Sequence, residues 1–522
     1  MALLLLWQTG IMASNSSNKN MMKLVFFITL ISSLVWFVLV QKKPKIVWRA
    51  AFLVVIFSVP NIFLVYVSMD GEFFPIIRYR DWVLNTFFGG SHEQRLKKHR
   101  EEQGKSTIVA KLTPNTTDVI QYRGPDRGGV YDGPPLSHNW DKQPPKMLWR
   151  QPVGGGYASF VTANGCLITL EQRKNENGED QEMVVCYEAV NGKEIWTSGW
   201  NALFSERLGG DGPRSTPTIA NGDVFALGAT GKLVCIDGEN GKQKWAVETL
   251  ENNENITWGM SGSPLVIGDQ VIVNPGSQTE ASKGSAVRSY DRNTGKLQWQ
   301  AGSYQAGYCS PQVAKIGEDE QILIFDADGL AGHQLSDGKE LWRFHFPTYM
   351  GINVAQPVVI DDHTIFIGAG YGAAGVCINV TKSENQWQVK EKYRTSNKVM
   401  RLKMSPAVRL TNKNGDYLYG LDDGVMQCMD LATGKQKWRD DRRAKKGQAY
   451  GHGQIAASDG VLIILTEYGE LVLVDATETE FREIGRIDAL TRGPKTWTVP
   501  IIVDGILYVR NEEQMAAFDL RQ

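Results

Sequence analysis

Neither sign of charge prevails in this chain: 56 Lys and Arg stand against 57 Asp and Glu. No basic excess is available to neutralise phosphates, which excludes an ordinary nucleic-acid partner. Cysteine is sparse, six in 522 residues, with no CxxC pair and no two side by side. Zinc ribbons, covalent haem attachment and a disulfide-dense scaffold are thereby excluded. What the chain has in quantity is glycine, 53 residues, and tryptophan, 15. Those counts point to many turns and a recurring indole position, and the 42% apolar content supports a sizeable core.

Long apolar runs occur only near the start. Leu24 to Val40 carries no charge, and Ala50 to Met69 is interrupted only by Pro60 and Asn61. Both approach the roughly 20 residues that a helix needs to cross a bilayer. Lys42, Lys43, Lys45 and Arg49 lie between them, so residues 23–69 read as a transmembrane hairpin (about 24–40 and 50–69) with a cytoplasmic loop. No A-x-A-like site follows Val40, against a cleaved signal peptide. Residues 1–22 read as a tail, with Met21-Met22-Lys23 a natural opening for the first helix. Residues 70–140 read as a juxtamembrane linker. Within it Ser91 to Lys105 has mixed charge and no apolar face, a solvated helix or stalk, and Tyr122 to Pro145 reads as extended chain.

From about residue 141 the chain repeats. Five segments place an acidic or amide residue four before Gly and eight before Trp: Glu188 to Trp196, Asp237 to Trp245, Asp291 to Trp299, Gln334 to Trp342 and Asp430 to Trp438. Weaker copies set Asn379 eight before Trp387 and leave Asp475 and Asp519 with no Trp downstream. Trp149, upstream, supplies the indole that the last copy lacks. Each core reads as a hairpin whose Asn-Gly, Thr-Gly or Asp-Gly turn needs positive φ, and whose return strand brings Trp back at fixed register. A second beat comes from Pro217, Pro264, Pro311, Pro357, Pro406 and Pro500, with Phe160 and Ile455 filling the remaining slots. Asn164-Gly165, Asn221-Gly222, Asp459-Gly460 and Asp504-Gly505 follow four of these slots as turn pairs. Four short strands per copy and eight copies predict an all-β, eight-bladed propeller over 141–522, its last blade closed by the strand around Trp149. No Trp-Asp dipeptide ends the repeats, which argues against the WD40 type.

The D-x-x-T-G-x-x-x-W core, as in Asp291 to Trp299 and Asp430 to Trp438, resembles the tryptophan-docking repeat of quinoprotein (PQQ) propellers. The resemblance implies structural docking roles for Trp149, Trp196, Trp245, Trp299, Trp342, Trp387 and Trp438. Two branches of that family share the repeat: PQQ-dependent alcohol dehydrogenases, which carry the quinone and calcium at the channel mouth, and BamB, a non-enzymatic scaffold of outer-membrane protein assembly. Fold alone does not choose between them. This chain lacks the vicinal disulfide and the CxxCH of many dehydrogenases, and no calcium-binding Glu, Asn and Asp map onto matching motifs. It also lacks the lipoprotein Cys of BamB.

Three residues before the eight slots stand Tyr157, Arg214, Ser261, Tyr308, Val354, Lys403, His452 and Trp497, with Asn353 one step further back. On a propeller these positions converge at the channel mouth, where cations and aromatic faces could hold a flat anionic ligand. His452 and Asp211 are the candidate acid–base groups, although residues in such Gly-rich loops more often shape turns. Cys186, Cys235, Cys377 and Cys428 each sit two before a blade anchor, which predicts compact buried thiols and no disulfides among them. Cys309, beside Tyr308, is the thiol to test for reactivity. The expected protein is an extracytoplasmic propeller on the cytoplasmic membrane, a binding or scaffold module for a protein or small ligand. The alternative is a quinoprotein dehydrogenase using PQQ and calcium on an alcohol or sugar. A carbohydrate-binding propeller is a third class that the aromatic ring permits.

Overall fold

The computed structural model describes residues 90–104, 106–250, 256–277, 283–443 and 448–521, with the backbone of strands Val65–Met69 and Pro75–Tyr79. The first apolar run, Leu24 to Val40, lies outside the described residues, as does most of the second. Where the second run is described it is not helical: Val65–Met69 is a strand paired with Pro75–Tyr79. The sequence VYVSM, with two Val and a Tyr, favours extended backbone. Among the described residues no helix is long and apolar enough to cross a membrane.

Eight four-stranded sheets follow one another in chain order. In blade 1 the strands Val161–Ala163, Cys166–Lys174, Asp180–Glu188 and Glu194–Asn201 run from the channel outward as an antiparallel meander. Blades 2 to 7 repeat that order, with innermost strands Thr218–Ala220, Leu265–Ile267, Gln312–Ile316, Val358–Val359, Val408–Asn412 and Gln454–Ser458. Blade 8 takes three strands from the end of the chain and its outermost, Lys146–Pro152, from before blade 1. Trp149 lies opposite Ala517 in that closing pair. Closure leaves no open edge between the first and last blade. The turn pairs after the slots behave as their chemistry requires. Asn164, Asn221, Asp459 and Asp504 all have φ between 47° and 51°, each followed by a Gly of positive φ.

The outer hairpins carry the docking residues at a shared irregularity. Cys186, Cys235, Ser289, Gly332 and Cys428 lie opposite Trp196, Trp245, Trp299, Trp342 and Trp438, with a register shift immediately after each. The bulge turns the indole toward the next blade, and the small residue opposite leaves room for it. Trp149, Trp196, Trp245 and Trp438 donate their indole N–H to Ala189, Gly238, Arg292 and Thr477 carbonyls of the following blade at 2.8–3.1 Å. Trp299 and Trp342 donate instead to the side-chain oxygens of Gln270 and Gln321, at 2.9 and 2.6 Å. The turn glycine of the next blade is needed for closeness as well as for φ. A Cβ on Gly241, Gly295 or Gly338 would meet Trp196, Trp245 or Trp299 at 2.4–2.9 Å. All six cysteines are free and buried. Three of them, Cys186, Cys235 and Cys428, are small partners that make this docking fit.

Blade 5 corrects the assignment of Trp387. Its outer hairpin is longer, turning at Glu384-Asn385 (φ 50° and 63°), so Asn379 pairs with Lys390 instead of starting the turn. The residue opposite Cys377, beside the register shift, is Tyr393, whose hydroxyl donates to Leu431 O of blade 6 at 2.6 Å. Trp387 lies near the hairpin tip with the Lys382 ammonium 5.2 Å from its ring. Tyr393→Phe is therefore expected to cost about 1 kcal/mol in urea unfolding, one net hydrogen bond. Trp387→Phe, which keeps an aromatic face for Lys382, is expected to cost less; the reverse order would restore the original assignment.

In blade 7 the docking position is Gly485, opposite Leu473. Trp140, from the segment before blade 8's closing strand, fills the space: a Cβ on Gly485 would stand 2.4 Å from Trp140 Cβ. Trp140 is buried in the cluster that joins blades 7, 8 and 1. The interface thus receives its indole from a distant part of the chain.

From His92 onward, the region expected as a linker is built onto the propeller. His92–Gln103 is a helix ended by Gly104 at φ 64°. Its mixed charge does not leave it solvated all round: Leu96 is buried, His92 Nε2 contacts Val153 O at 2.7 Å, and Arg100 donates to Pro152 O at 2.9 Å. In the following arm, residues 106–140, the stretch 119–131 passes along the channel edges of the blades. Val119 O and Ile120 O accept from the N–H groups of Thr162 and Ile219 in blades 1 and 2. Arg127 donates to Ser263 O and Pro264 O of blade 3, and Asp126 O accepts from the Gln312 amide of blade 4. Arg123 reaches Ala407 O and Ile455 O of blades 6 and 7, and the Tyr131 hydroxyl reaches Pro500 O of blade 8. The arm therefore holds seven of the eight blades from inside the ring.

Candidate functional site

The loops before the slots meet at the channel end opposite the arm, and most of the expected ring converges there. Tyr157 and Trp497 stack with ring centroids 5.2 Å apart. The Arg214 guanidinium sits 5.3 Å over Tyr157 and 4.6 Å over Phe204. Trp497 donates its indole N–H to Glu467 Oε1 at 2.9 Å, and His452 donates its backbone N–H to Glu467 Oε2 at 2.9 Å. Lys403 bonds Asp423 at 3.0 Å and lies 5.8 Å from the Tyr371 ring. Tyr308 packs against Trp258 at 5.6 Å, and its carbonyl accepts from the Ser261 hydroxyl. Asn353 is not on this surface. It is fully buried, donating to Asp326 O at 2.7 Å and accepting Tyr308 N–H at its carbonyl.

Each cation of the ring has an internal partner. Arg214 donates to the carbonyls of Gly209, Gly210 and Gly212 at 2.6–2.8 Å, so it fastens its own loop. Lys403 and Arg401 share Asp423, whose carboxyl sits below the usual range. Burial works against that shift and is outweighed by the Lys403 hydrogen bond and the charges of Lys403, His452 and Arg401. Tyr157 donates to Glu512 at 2.5 Å, and Lys495 lies 4.7 Å from the Trp497 ring. One face of the indole meets Tyr157 and its ring is also contacted by an ammonium, so a stacked ligand would have to displace protein groups.

The two candidate acid–base groups do not share one surface. The His452 side chain is 2% exposed, enclosed behind the mouth. Asp211 accepts from the Ser205 hydroxyl at 2.7 Å on the exposed 205–211 loop, a turn-forming contact. Cys309 does not match the expectation of reactivity. It is buried, its thiol meets Gln356 Oε1 and Ser310 O at 3.4 Å, and burial pushes its pKa up to about 12. A thiolate is not available there at neutral pH.

The carboxylates Asp423, Glu467 and Glu512 complete the mouth and were not anticipated. They sit in the turns between the second and third strands, a second set of loops at the same end. Asp423, Glu467 and Glu512 are spaced by 44 and 45 residues, close to the repeat period, so the signal was present in the sequence. Just inside the mouth runs a belt of hydroxyls. Ser159, Thr216 and Ser263 donate backbone N–H to the side-chain oxygens of Thr216, Ser263 and Ser310 in the next blade, at 2.9–3.0 Å. Its mark in the sequence is the Ser/Thr-Pro dipeptide at four slots.

Behind the Arg214 loop, Glu182 is completely buried with Oε1 accepting the Ala229 N–H at 2.8 Å. Burial raises its pKa from 4.5 to about 7, against the pull of the Ala229 N–H, the Trp200 indole and Arg214. Because the folded value lies above the unfolded one, the protonated form is favoured by folding. The stability it gives is full below pH 4.5 and lost as pH rises through about 7. Glu182→Gln is expected to match the parent at pH 5 and exceed it at pH 8 by up to about 3 kcal/mol in urea unfolding. Equal stability at both pH values would refute the assignment.

The donor set at the mouth bears on whether PQQ and a metal ion could sit there. Among the described residues no three His, Cys, Asp or Glu converge to hold a metal ion. Glu467 and Glu512 each accept two hydrogen bonds from protein donors, and Asp423 is held by Lys403 and Arg401. The groups that would grip a tricarboxylate are already engaged, Arg214 by backbone carbonyls and Lys403 by Asp423. The residues present do not fit the quinone–metal pair, and no chemical step is derived through it.

Fold and mouth together define an eight-bladed PQQ-like propeller with a belt of inter-blade hydrogen bonds across blades 1 to 4. Residues 180–404 and 409–522 match the family described as outer membrane protein assembly factor BamB, and the chain belongs to that family. It is also similar to enzymes. A lanthanide-dependent methanol dehydrogenase of Methylacidiphilum fumariolicum (strain SolV) is 30% identical over 109 residues, 21% of this chain and 15% of that protein. The dehydrogenase subunit of a quinone alcohol dehydrogenase of Gluconacetobacter polyoxogenes is 22% identical over 268 residues, 49% of this chain and 32% of that one. The matches thus span less than a third of those relatives. The quinohemoprotein alcohol dehydrogenase of Comamonas testosteroni has a TM-score of 0.52 at 11% identity, covering 82% of this chain and 84% of that one, a likeness of fold.

Proposed function

We propose that the chain is a BamB-like binding module that presents its mouth and blade faces to a protein partner and performs no quinone chemistry. The observation that carries this reading is the mouth itself, where Arg214, Lys403 and Trp497 are engaged with neighbouring protein groups. Membership of the BamB family supports it. The dehydrogenase relatives supply the second reading, oxidation of an alcohol or sugar with PQQ and calcium or a lanthanide. Calorimetric titration of the full chain with PQQ plus calcium, then with PQQ plus a lanthanide, separates the two. No saturable heat up to high micromolar quinone is expected. Tight metal-dependent binding, weakened in Lys403→Ala, would establish the enzyme reading instead.

We further propose attachment to the cytoplasmic membrane through the apolar runs that precede Val65, with the propeller in the periplasm. The basic loop Lys42 to Arg49 supports that orientation. Protease added to spheroplasts should digest the propeller while the cytoplasm stays sealed. Protection until lysis would place the propeller on the cytoplasmic side.

A further inference from the structure

At the arm end of the channel a half-open groove of about 700 Å3 lies between the arm and the inner strands of blades 4, 5 and 6. That volume falls within the range of ordinary ligand sites. Its walls are mixed: Val313, Val358, Val359, Ile360 and Leu410, all half-buried, alternate with Gln312, Gln356, Arg409 and Thr411. The arm forms one side of it, through Asp126, Arg127, Gly128 and Val130. Blade 5 is the blade to which the arm makes no hydrogen bond among the described residues, and its inner strand, Val358–Val359, is the shortest of the eight.

The arm shows what such inner edges accept. Two residues past the slot, blades 1 and 2 point the N–H groups of Thr162 and Ile219 at Val119 O and Ile120 O, consecutive carbonyls of an extended segment. Blade 7 uses the same position: Ala457 donates to Gly129 O, accepts from Tyr131 N–H, and forms a parallel bridge with Val130. In blades 4 and 5 that position is Val313 and Val359. Val313 lies opposite Ile322 and Val359 opposite Ile365, an even number of residues from the turn-closing pair phase seen in blades 1 and 2. In an antiparallel ladder the N–H of such a residue points away from its sheet partner, here toward the groove. The polar groups nearby are satisfied: Arg409 pairs with Asp416 and donates to Val359 O, and the Gln312 and Gln356 amides bond each other. What stays on offer is a pair of adjacent backbone donors between apolar side chains.

We infer that this groove binds an extended, uncharged segment of a partner protein, adding to the inner edge of blades 4 and 5 as Val119-Ile120 adds to blades 1 and 2. Backbone bonds would give affinity, and Val358, Ile360 and Leu410 would select apolar side chains. The groove continues the established seam between arm and propeller, where Val119-Ile120 already lies as an extended pair of apolar residues. The proposal deepens the binding-module reading and rests on it, with the partner's contact placed inside the channel.

The test uses the full chain and a fluorescein-labelled, end-capped peptide copying the arm residues Thr117 to Gln121 with Asp118→Asn to remove its charge, read by fluorescence anisotropy. Saturable binding is expected, weakened about tenfold or more when Ser replaces both apolar residues of the peptide, a change that leaves the protein untouched. Leu410→Trp, which fills the groove from its rim, should weaken binding by a similar factor, and Val359→Pro removes the donor. Absence of saturable binding, or binding indifferent to both Leu410→Trp and the Ser peptide, overturns the proposal. Saturable binding of 1-anilinonaphthalene-8-sulfonate in the groove that the peptide fails to displace would also overturn it, in favour of a small apolar ligand. Because none of these readouts involves quinone, failure here and failure of the binding-module reading remain distinguishable.

Discussion

Arg123→Ala is expected to destabilise the propeller by about 3–5 kcal/mol and to release the arm from the channel. The side chain is 1% exposed, and its guanidinium donates to four carbonyls: Arg127 and Gly128 in the arm, Ala407 in blade 6 and Ile455 in blade 7. Truncation would leave those acceptors buried with no donor, each at a cost of about 1–3 kcal/mol before relaxation. The backbone at Arg123 is left-handed, φ 60°, and Ala bears that strain as Arg does, so the comparison isolates the guanidinium. Arg123→Lys should recover only part of the loss, because an ammonium lacks the planar fork that spans two blades. Urea unfolding gives the stability, and limited trypsin digestion at residues 106–131 reports the arm. A variant as stable and as resistant as the parent would mean that the arm is held elsewhere.

The arm also marks where reading the sequence stops. The propeller was legible because each blade buries the same small set of residues, so the turn chemistry and the Trp spacing recur with it. Trp149 as the closing indole followed from the same count. Blade 5 misled because a hairpin lengthened by several residues kept an Asn and a Trp eight apart by coincidence, while the bulge moved to Tyr393. Trp140 was illegible for a different reason: it docks onto Gly485 from more than three hundred residues away, and no local period records such a contact. The arm has no period at all. Its two fully buried arginines read as ordinary polar linker, because burial of a charge inside a ring of carbonyls is a tertiary event.

The mouth divides in the same way. Positions three before each slot do converge, with Asn353 behind the surface. What changes their chemistry is the second set of loops, whose Asp423, Glu467 and Glu512 meet Lys403, Trp497 and Tyr157. A cation and an aromatic face suggest an anion site only while they lack partners, and partners come from loops remote in sequence. The cysteines were legible because the size limit at their position is set within one hairpin. Cys309 was not, since its enclosure depends on Gln356 in the next blade.

Glu171→Gln is expected to cost about 3–5 kcal/mol at neutral pH, for the ring closes on a buried ionic cluster between blades 8 and 1. Glu171, fully buried, accepts from Arg173 Nε at 2.8 Å, from Gly154 N–H at 2.5 Å and from the Tyr187 hydroxyl. Arg173 continues to Glu194 at 2.9 Å, and Arg100 of the helix lies 3.7 Å from the same carboxylate. From blade 8, Arg510 donates to Leu170 O, Gly154 O and the Thr169 hydroxyl at 2.7–2.9 Å. Burial pushes the Glu171 pKa up, yet Arg173, Arg510 and Arg100 together hold it down to about 2. The sign is opposite to that of Glu182: this contribution is full above pH 4.5 and lost as pH falls toward about 2. The amide keeps the shape but leaves the arginines without their anion, so the loss appears at neutral pH and the acid limb between pH 4.5 and 2 flattens. Urea midpoints from pH 7 down to 3 test both parts. An unchanged acid limb would show that ring closure rests on the strand pairing of Lys146–Pro152 instead of on this cluster.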